Sequence, residues 1–392
     1  MSDPTSDRPR LPTWALAVLP LVLLAALAAF VLAFDLPGLE RRGPPVERVA
    51  VERTELRPGV IELRVRNDGP DAVKLAQVIV NDAYIAEVSL PATPIGRLEQ
   101  TTVRIPYVWT EGEAYEIALL TSTGVTVDHV IGAAALTPRT DIGFFGLLGL
   151  LGLYVGLIPV AMGMLWLPFA RRARESIIRF MLALTVGLLA FLAIEAVVEG
   201  ADQAGRGAQS FGGVSLVALG ALLAYVAMRG VDGWLSRRRG GVGGWHAAML
   251  VAIGIGLHNL GEGLSIGGAY SAGELALGAF LVIGFAIHNT TEGLAIVAPI
   301  ARERPSPGRL VLLGVIAGLP VIPGVWAGAL SFTPQATAFL LGVGAGAIAQ
   351  VIQQIAPTLR PRQHSGGLEP AVALGLAAGL LVMWGTGLIA AG

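Results

Sequence analysis

Residues 245–267 read WHAAMLVAIGIGLHNLGEGLSIG, and residues 275–300 read LALGAFLVIGFAIHNTTEGLAIVAPI. Each is long enough to cross a bilayer, which takes roughly 20 helical residues. Each carries the same polar residues with the same spacing near its middle: His258, Asn259 and Glu262 in the first, His288, Asn289 and Glu292 in the second. A charged side chain at the centre of a membrane helix costs about 2.5–3.5 kcal/mol on insertion scales. Such residues, placed there twice, point to function.

Spacing sets their direction. His258 and Glu262 stand at i and i+4, as do His288 and Glu292, so each pair shares one helix face, roughly 6 Å apart along the axis. The segment between them, GAYSAGE, is short, which predicts an antiparallel hairpin whose repeated faces converge. Two imidazoles and two carboxylates together suit a borderline divalent cation, and buried carboxylates repel one another unless a cation or proton lies between them. The plainer reading is polar groups joining helices by hydrogen bonds. That would account for one such residue, but not for the repeat.

The surroundings fit a membrane protein. Of 392 residues, 54% are hydrophobic and 14% charged, with a mean hydropathy of +0.68, outside the soluble range. A net charge of -1 gives no sign of a nucleic-acid partner, and the absence of cysteine excludes disulfides, thiolate metal sites and cysteine nucleophiles. Nine apolar segments are long enough to span: 12–34, 142–169, 177–199, 211–228, 245–267, 275–300, 308–330, 335–357 and 369–391. With the N-terminus inside, fifteen basic residues fall on the short inner segments and one, Arg206, on the short outer loops, as the positive-inside rule requires. Residues 35–141 and the C-terminus then lie outside. The first segment reads as an anchor, or alternatively as a cleaved signal peptide.

Residues 45–138 differ in character. VIELRVRNDGPDAVKLAQVIVNDAYIAEVSL alternates apolar and polar residues between Asn-Asp turn signals, predicting short antiparallel strands in an extracytoplasmic β-sandwich. It resembles the immunoglobulin-like or fibronectin-like domains of bacterial surface proteins. Asp128 and His129 there could capture metal, or be an ordinary surface pair.

HNLGEG and HNTTEG resemble the paired metal-binding motifs of the fourth and fifth helices of ZIP metal transporters, usually written H-N-x-P-E-G and H-E-x-P-E-G. The resemblance covers residues 142–391, whose eight segments match the family's helix count. GAGAIAQVIQQIAPT in the eighth segment of the chain also looks like the family. The fold class so implied is an all-α polytopic membrane protein, an eight-helix ZIP-like bundle. To it are joined an N-terminal anchor (residues 1–40) and the all-β domain. The resemblance implies a transporter, not an enzyme, carrying divalent metal toward the cytoplasm: zinc foremost, also iron, manganese or cadmium. The metal is cargo; no cofactor is implied. Carried over by position, His258, Asn259 and Glu262 take ligand places on one helix, and His288 and Glu292 take them on the other. Asn289 stands where many members have an acid.

Departures narrow the expectation. Gly261 and Thr291 replace the family's prolines, and AGLPVIPGVWAGAL lacks the acid often found in the sixth helix. One principal site is therefore expected, held by His258, Glu262, His288 and Glu292, with a second weak or absent. Glu195 and Glu199, four apart near the outer end of their segment, with Asp202 in the following loop and Glu274 nearby, would form an acidic mouth that concentrates cations; Glu199 and Glu274 could equally belong to ordinary solvated helix ends. Glu195 is the better entrance ligand. On the inner side Gln350, Gln353 and Gln354 either pass the cation or pack, packing being favoured for at least two. His246 and His364 are expected to face solvent or headgroups. No G-K-S or G-K-T phosphate loop is present, so ATP-driven transport is not expected.

Two other functions compete with transport. An intramembrane metalloprotease needs H-E-x-x-H, and Asn259 and Asn289 replace its base. A metal-sensing receptor would bind metal without moving it. Metal preference, self-association and a partner for the outer domain are left open.

Overall fold

The computed structural model describes residues 13–33, 45–85, 88–139, 141–239, 243–272, 275–331, 333–360 and 369–391. Glu274, His364 and the tail bearing Arg8 and Arg10 lie outside the described residues. The chain divides after Val46. The first unit contains helix α1 (Thr13–Ala33), with Pro20 inside it and no charged residue in its first or last turn. Apolar on every side, it has the character of a membrane-embedded helix.

The second unit begins with seven strands: β1 (Val49–Arg57), β2 (Val60–Asn67), β3 (Leu75–Val80), β4 (Ala83–Tyr84), β5 (Gln100–Pro106), β6 (Tyr115–Thr121) and β7 (Thr126–Ile131). They form two antiparallel sheets, ordered β1-β2-β5 and β4-β3-β6-β7. Alternation sends Ile61, Leu63, Val65, Val103 and Ile105 of one sheet and Val78, Val80, Ile117 and Leu119 of the other into one shared core. Pro58 and Gly59 turn β1 into β2, and Gly59 takes φ +75, a conformation that favours glycine at this turn position.

The remainder is helical: α2 (Ile142–Gly152), a π-turn (Leu153–Leu157), α3 (Ile158–Met164), α4 (Leu167–Arg172), α5 (Glu175–Arg206) and α6 (Ser215–Arg239). There follow α7 (Gly244–Ala272), α8 (Leu275–Val297), α9 (Pro307–Gly318), α10 (Val321–Ser331), α11 (Pro334–Ile355) and α12 (Pro370–Ala391). Seven helical spans among the described residues, from Ile142–Arg172 to Pro334–Leu359, are long and apolar enough to cross a membrane, and α1 and α12 contain two shorter apolar stretches. Leu222, Val226, Leu381 and Trp384 are exposed on the bundle, where lipid would cover them.

α5 and α6 pack mainly on α11 and α12, whereas α7 packs on α9 and α10 and α8 packs on α3; α11 also meets α7. Small residues permit these approaches. A Cβ on Gly163 would lie 1.9 Å from the Thr290 carbonyl oxygen, and one on Gly293 would lie 2.1 Å from that of Val160. Glycine there lets α3 and α8 touch along their backbones.

Two boundaries differ from the expected segments. α5 continues past residue 199 to Arg206, so Asp202 is helical and not in a loop; its i,i+4 pair with Arg206, at 2.7 Å, supports the polar extension. Arg179, one of the fifteen basic residues assigned to the inner side, is buried in α5. Its guanidinium donates to the carbonyls of Thr358, Leu359 and Arg360 at 3.4, 3.2 and 3.2 Å, where a cation complements the carbonyl end of a helix.

Candidate metal centre

α7 and α8 run on either side of a short connection, and their repeated faces meet. Nε2 of His258 lies 2.9 Å, and Nε2 of His288 2.6 Å, from the same oxygen, Oε1 of Glu262. The two rings are 6.4 Å apart between centroids. His258, Glu262 and His288 form a buried group whose ligand atoms all lie within 4.8 Å of one another, the one such metal-competent group among the described residues. Two imidazole nitrogens and a carboxylate oxygen converging at that separation can be bridged by one ion of zinc's size and preference.

The asparagines form a second, crossed layer. Asn259 on α7 donates to Oε2 of Glu292 on α8, and Asn289 on α8 donates to Oε2 of Glu262 on α7, each at 3.3 Å. Each also anchors on a backbone carbonyl of a neighbouring helix: Asn259 on Ala317 at 3.0 Å, Asn289 on Val155 at 3.1 Å. Both carbonyls lie where a helix is interrupted. Val155 stands four residues before Pro159, which has no N–H to offer it. Ala317 lies in the last turn of α9, closed at Pro320, where carbonyls lack intrahelical partners. The interruptions that the motif helices lack, with Gly261 and Thr291 in place of proline, are thus found on their neighbours; α7 itself is continuous from Gly244 to Ala272.

The two halves are not equivalent. Glu262 is engaged by both histidines and by Asn289, while Glu292 accepts from Asn259 alone and keeps Oε1 buried and unpartnered. Nδ1 of His258 and Oδ1 of both asparagines are also buried without a hydrogen-bond partner. Unpartnered buried acceptors are costly, and a cation satisfies several at once. Gly344 of α11 presses on this layer: a Cβ there would fall 2.9 Å from Cα and 3.2 Å from Nδ1 of His258.

The other candidate residues fall elsewhere. Glu195 is exposed on α5, within electrostatic range of His288, Glu262 and His258. Glu199 accepts from Gln203 at 2.9 Å. Gln353 accepts from Tyr225 at 2.5 Å, Gln354 lies 3.5 Å from Asp232, and Gln350 is buried with its side-chain oxygen unpartnered. His246, expected at the surface, is instead buried, with Nε2 2.7 Å from Asp232; the carboxylate supplies the partner that burial of an imidazole requires. Asp128 and His129, adjacent on β7, point to opposite sheet faces. His129 lies 2.7 Å from Thr54 Oγ1, and burial pushes its imidazole below the ordinary range.

The anchoring carbonyls of Val155 and Ala317 and the press of Gly344 escaped sequence reading. Their signals were Pro159 and Pro320 inside apolar segments and a glycine-rich run in α11. Comparison with protein-family models and with curated proteins finds no match for the chain.

Proposed function

We propose that this protein moves divalent metal cations across a membrane, zinc foremost and iron, manganese or cadmium as alternatives, through the His/Glu centre between α7 and α8. The observation that carries the reading is the convergence of His258, Glu262 and His288 in a buried group on two adjacent apolar helices. Nitrogen and carboxylate oxygen ligands suit zinc and neighbouring metals, and ionisable groups inside a membrane bundle mark ion pathways. The doubled motif's resemblance to ZIP transporters adds the direction, toward the cytoplasm. On this reading residues 142–391 are the transport bundle, and the arginine distribution supports residues 35–141 and the C-terminus lying outside a bacterial or archaeal cell membrane. The strand order of the two sheets supports an immunoglobulin-like reading of residues 45–138.

Glu292 and Asn259 complete the ligand shell on this reading: they are hydrogen-bonded to each other, and each keeps one buried oxygen without a hydrogen-bond partner. The test is uptake of radioactive zinc by liposomes holding the purified protein, with Glu262→Gln and His258→Ala beside it. Saturable uptake that falls at least tenfold in both variants supports the proposal. Zinc binding without uptake would favour the receptor, and uptake unchanged in both variants would remove the centre from the pathway.

A further inference from the structure

Among the described residues, side-chain hydrogen bonds tie the β-domain to the bundle at two places on different helices. At the first, Asp68, just past the end of β2 and buried, accepts from the amides of Gln209 and Ser210 at 2.7 Å each, while Ser210 Oγ donates to the Asp68 carbonyl at 2.7 Å. These residues form the turn between α5 and α6. Arg66, held by Glu52 at 2.6 Å, stacks over Phe211 of the same turn at 5.5 Å. The loop carrying Asp68 is itself braced, since Asn67 is fully buried and donates to the carbonyls of Asp71 and Ile95. At the second place, Arg53 of β1 donates to the carbonyl of Ser271, in the last turn of α7, at 3.2 Å. One domain therefore spans from the α5–α6 turn to the end of a helix that bears metal ligands.

Resting on the transport reading above, we propose that the β-domain is a releasable strap on the metal-bearing helices: it stays fixed to the α5–α6 turn through Asp68 and lets go of α7 at Arg53 when the site opens. Transport by alternating access requires the buried ligands to open to each side in turn, commonly by movement of one helix group against another. α5 and α6 pack with α11 and α12, and the ligands ride on α7 and α8, which pack with α9, α10 and α3 and meet the first group along α11 and α12. A shift of α7 by one helical turn, roughly 5.4 Å, cannot leave both attachments intact. The two differ in strength. Asp68 makes two charge-assisted bonds, joined by a third from Ser210, and the Arg66–Phe211 contact lies beside them. Arg53 makes one longer bond and lies 3.1 Å from the carboxylate of Glu55, an ion-pair partner on its own strand that it keeps when α7 leaves.

The chain lacks cysteine, so spin labels can be placed singly. Glu111→Cys on the β-domain would be paired with Gly205→Cys at the end of α5, where a side chain meets open space, and separately with Leu275→Cys, exposed at the start of α8. Distances would be measured in the full-length protein in liposomes, with and without zinc, and again with Arg53→Gln added. The expected result is an unchanged first distance and a second distance that lengthens by roughly 5 Å in zinc, and does so without zinc in Arg53→Gln. The unchanged first distance also shows that the β-domain of Arg53→Gln is folded and seated. A second distance fixed under all conditions overturns the strap; if uptake persists, the transport reading survives that result. Movement of the second distance in a protein that takes up no zinc would leave the strap and remove the transporter.

Discussion

α7 and α8 carry the same five-residue spacing, yet the structure uses them differently. Glu262 of α7 is met by both histidines; Glu292 of α8, in the equivalent place, is met by Asn259 and keeps one oxygen unpartnered. Identical spacing fixes which face a residue occupies, while neighbours decide what it meets there. Around α7 those neighbours include Gly344 of α11 and the Ala317 carbonyl; around α8 they include α3 and the Val155 carbonyl. The difference makes Glu262 the hub and Glu292 an accessory.

The sharpest way to break that comparison is Glu262→Gln. It removes the charge that both imidazoles address, and zinc uptake and binding should fall by more than about 100-fold, beyond the effect of losing a supporting residue. Gly344→Ala follows. Its methyl group would press on the His258 backbone, and binding measured by titration should weaken about 10- to 100-fold, as for other changes that misplace a ligand. Asn289→Ala leaves the Val155 carbonyl and a Glu262 oxygen without their partner. A stability loss of about 1–3 kcal/mol is expected for unpaired buried groups, read from thermal unfolding in detergent. Glu292→Gln should reduce binding by about tenfold, an order less than Glu262→Gln; equal losses would make the two halves equivalent after all.

The smallest effect belongs to the β-domain. His129 is held neutral by burial, with its pKa below the ordinary value of about 6.5. In the unfolded chain it protonates as pH falls through that value, whereas in the folded domain it protonates only at lower pH. The unfolded state then binds more protons, and stability decreases with falling pH. Proteolysis of the β-domain in the intact protein should accelerate between pH 7 and pH 5, and His129→Gln should flatten that dependence.

Much of this was legible in sequence because membrane helices obey simple constraints. Length and hydropathy located the spans, and the 3.6-residue period put His258 beside Glu262 and His288 beside Glu292. The asymmetry between the two halves was not legible, since it depends on which carbonyls are released and where they land. Pro159 and Pro320 announced broken helices but not that Val155 and Ala317 would meet the asparagines. His246 shows the same limit: position near a helix end suggested exposure, and only the packing of α6 against α7 brings Asp232 to it. The extension of α5 was missed because hydropathy marks where lipid ends, while the Asp202–Arg206 pair carries the helix further.

The central claim, that both halves of the repeat hold one metal ion, is tested most directly by X-ray absorption at the zinc edge of the protein loaded with one equivalent of zinc. Two imidazole nitrogens and carboxylate oxygen are predicted in the first shell, falling to one imidazole in His288→Ala. A shell of oxygen alone, or two imidazoles retained in His288→Ala, would contradict it.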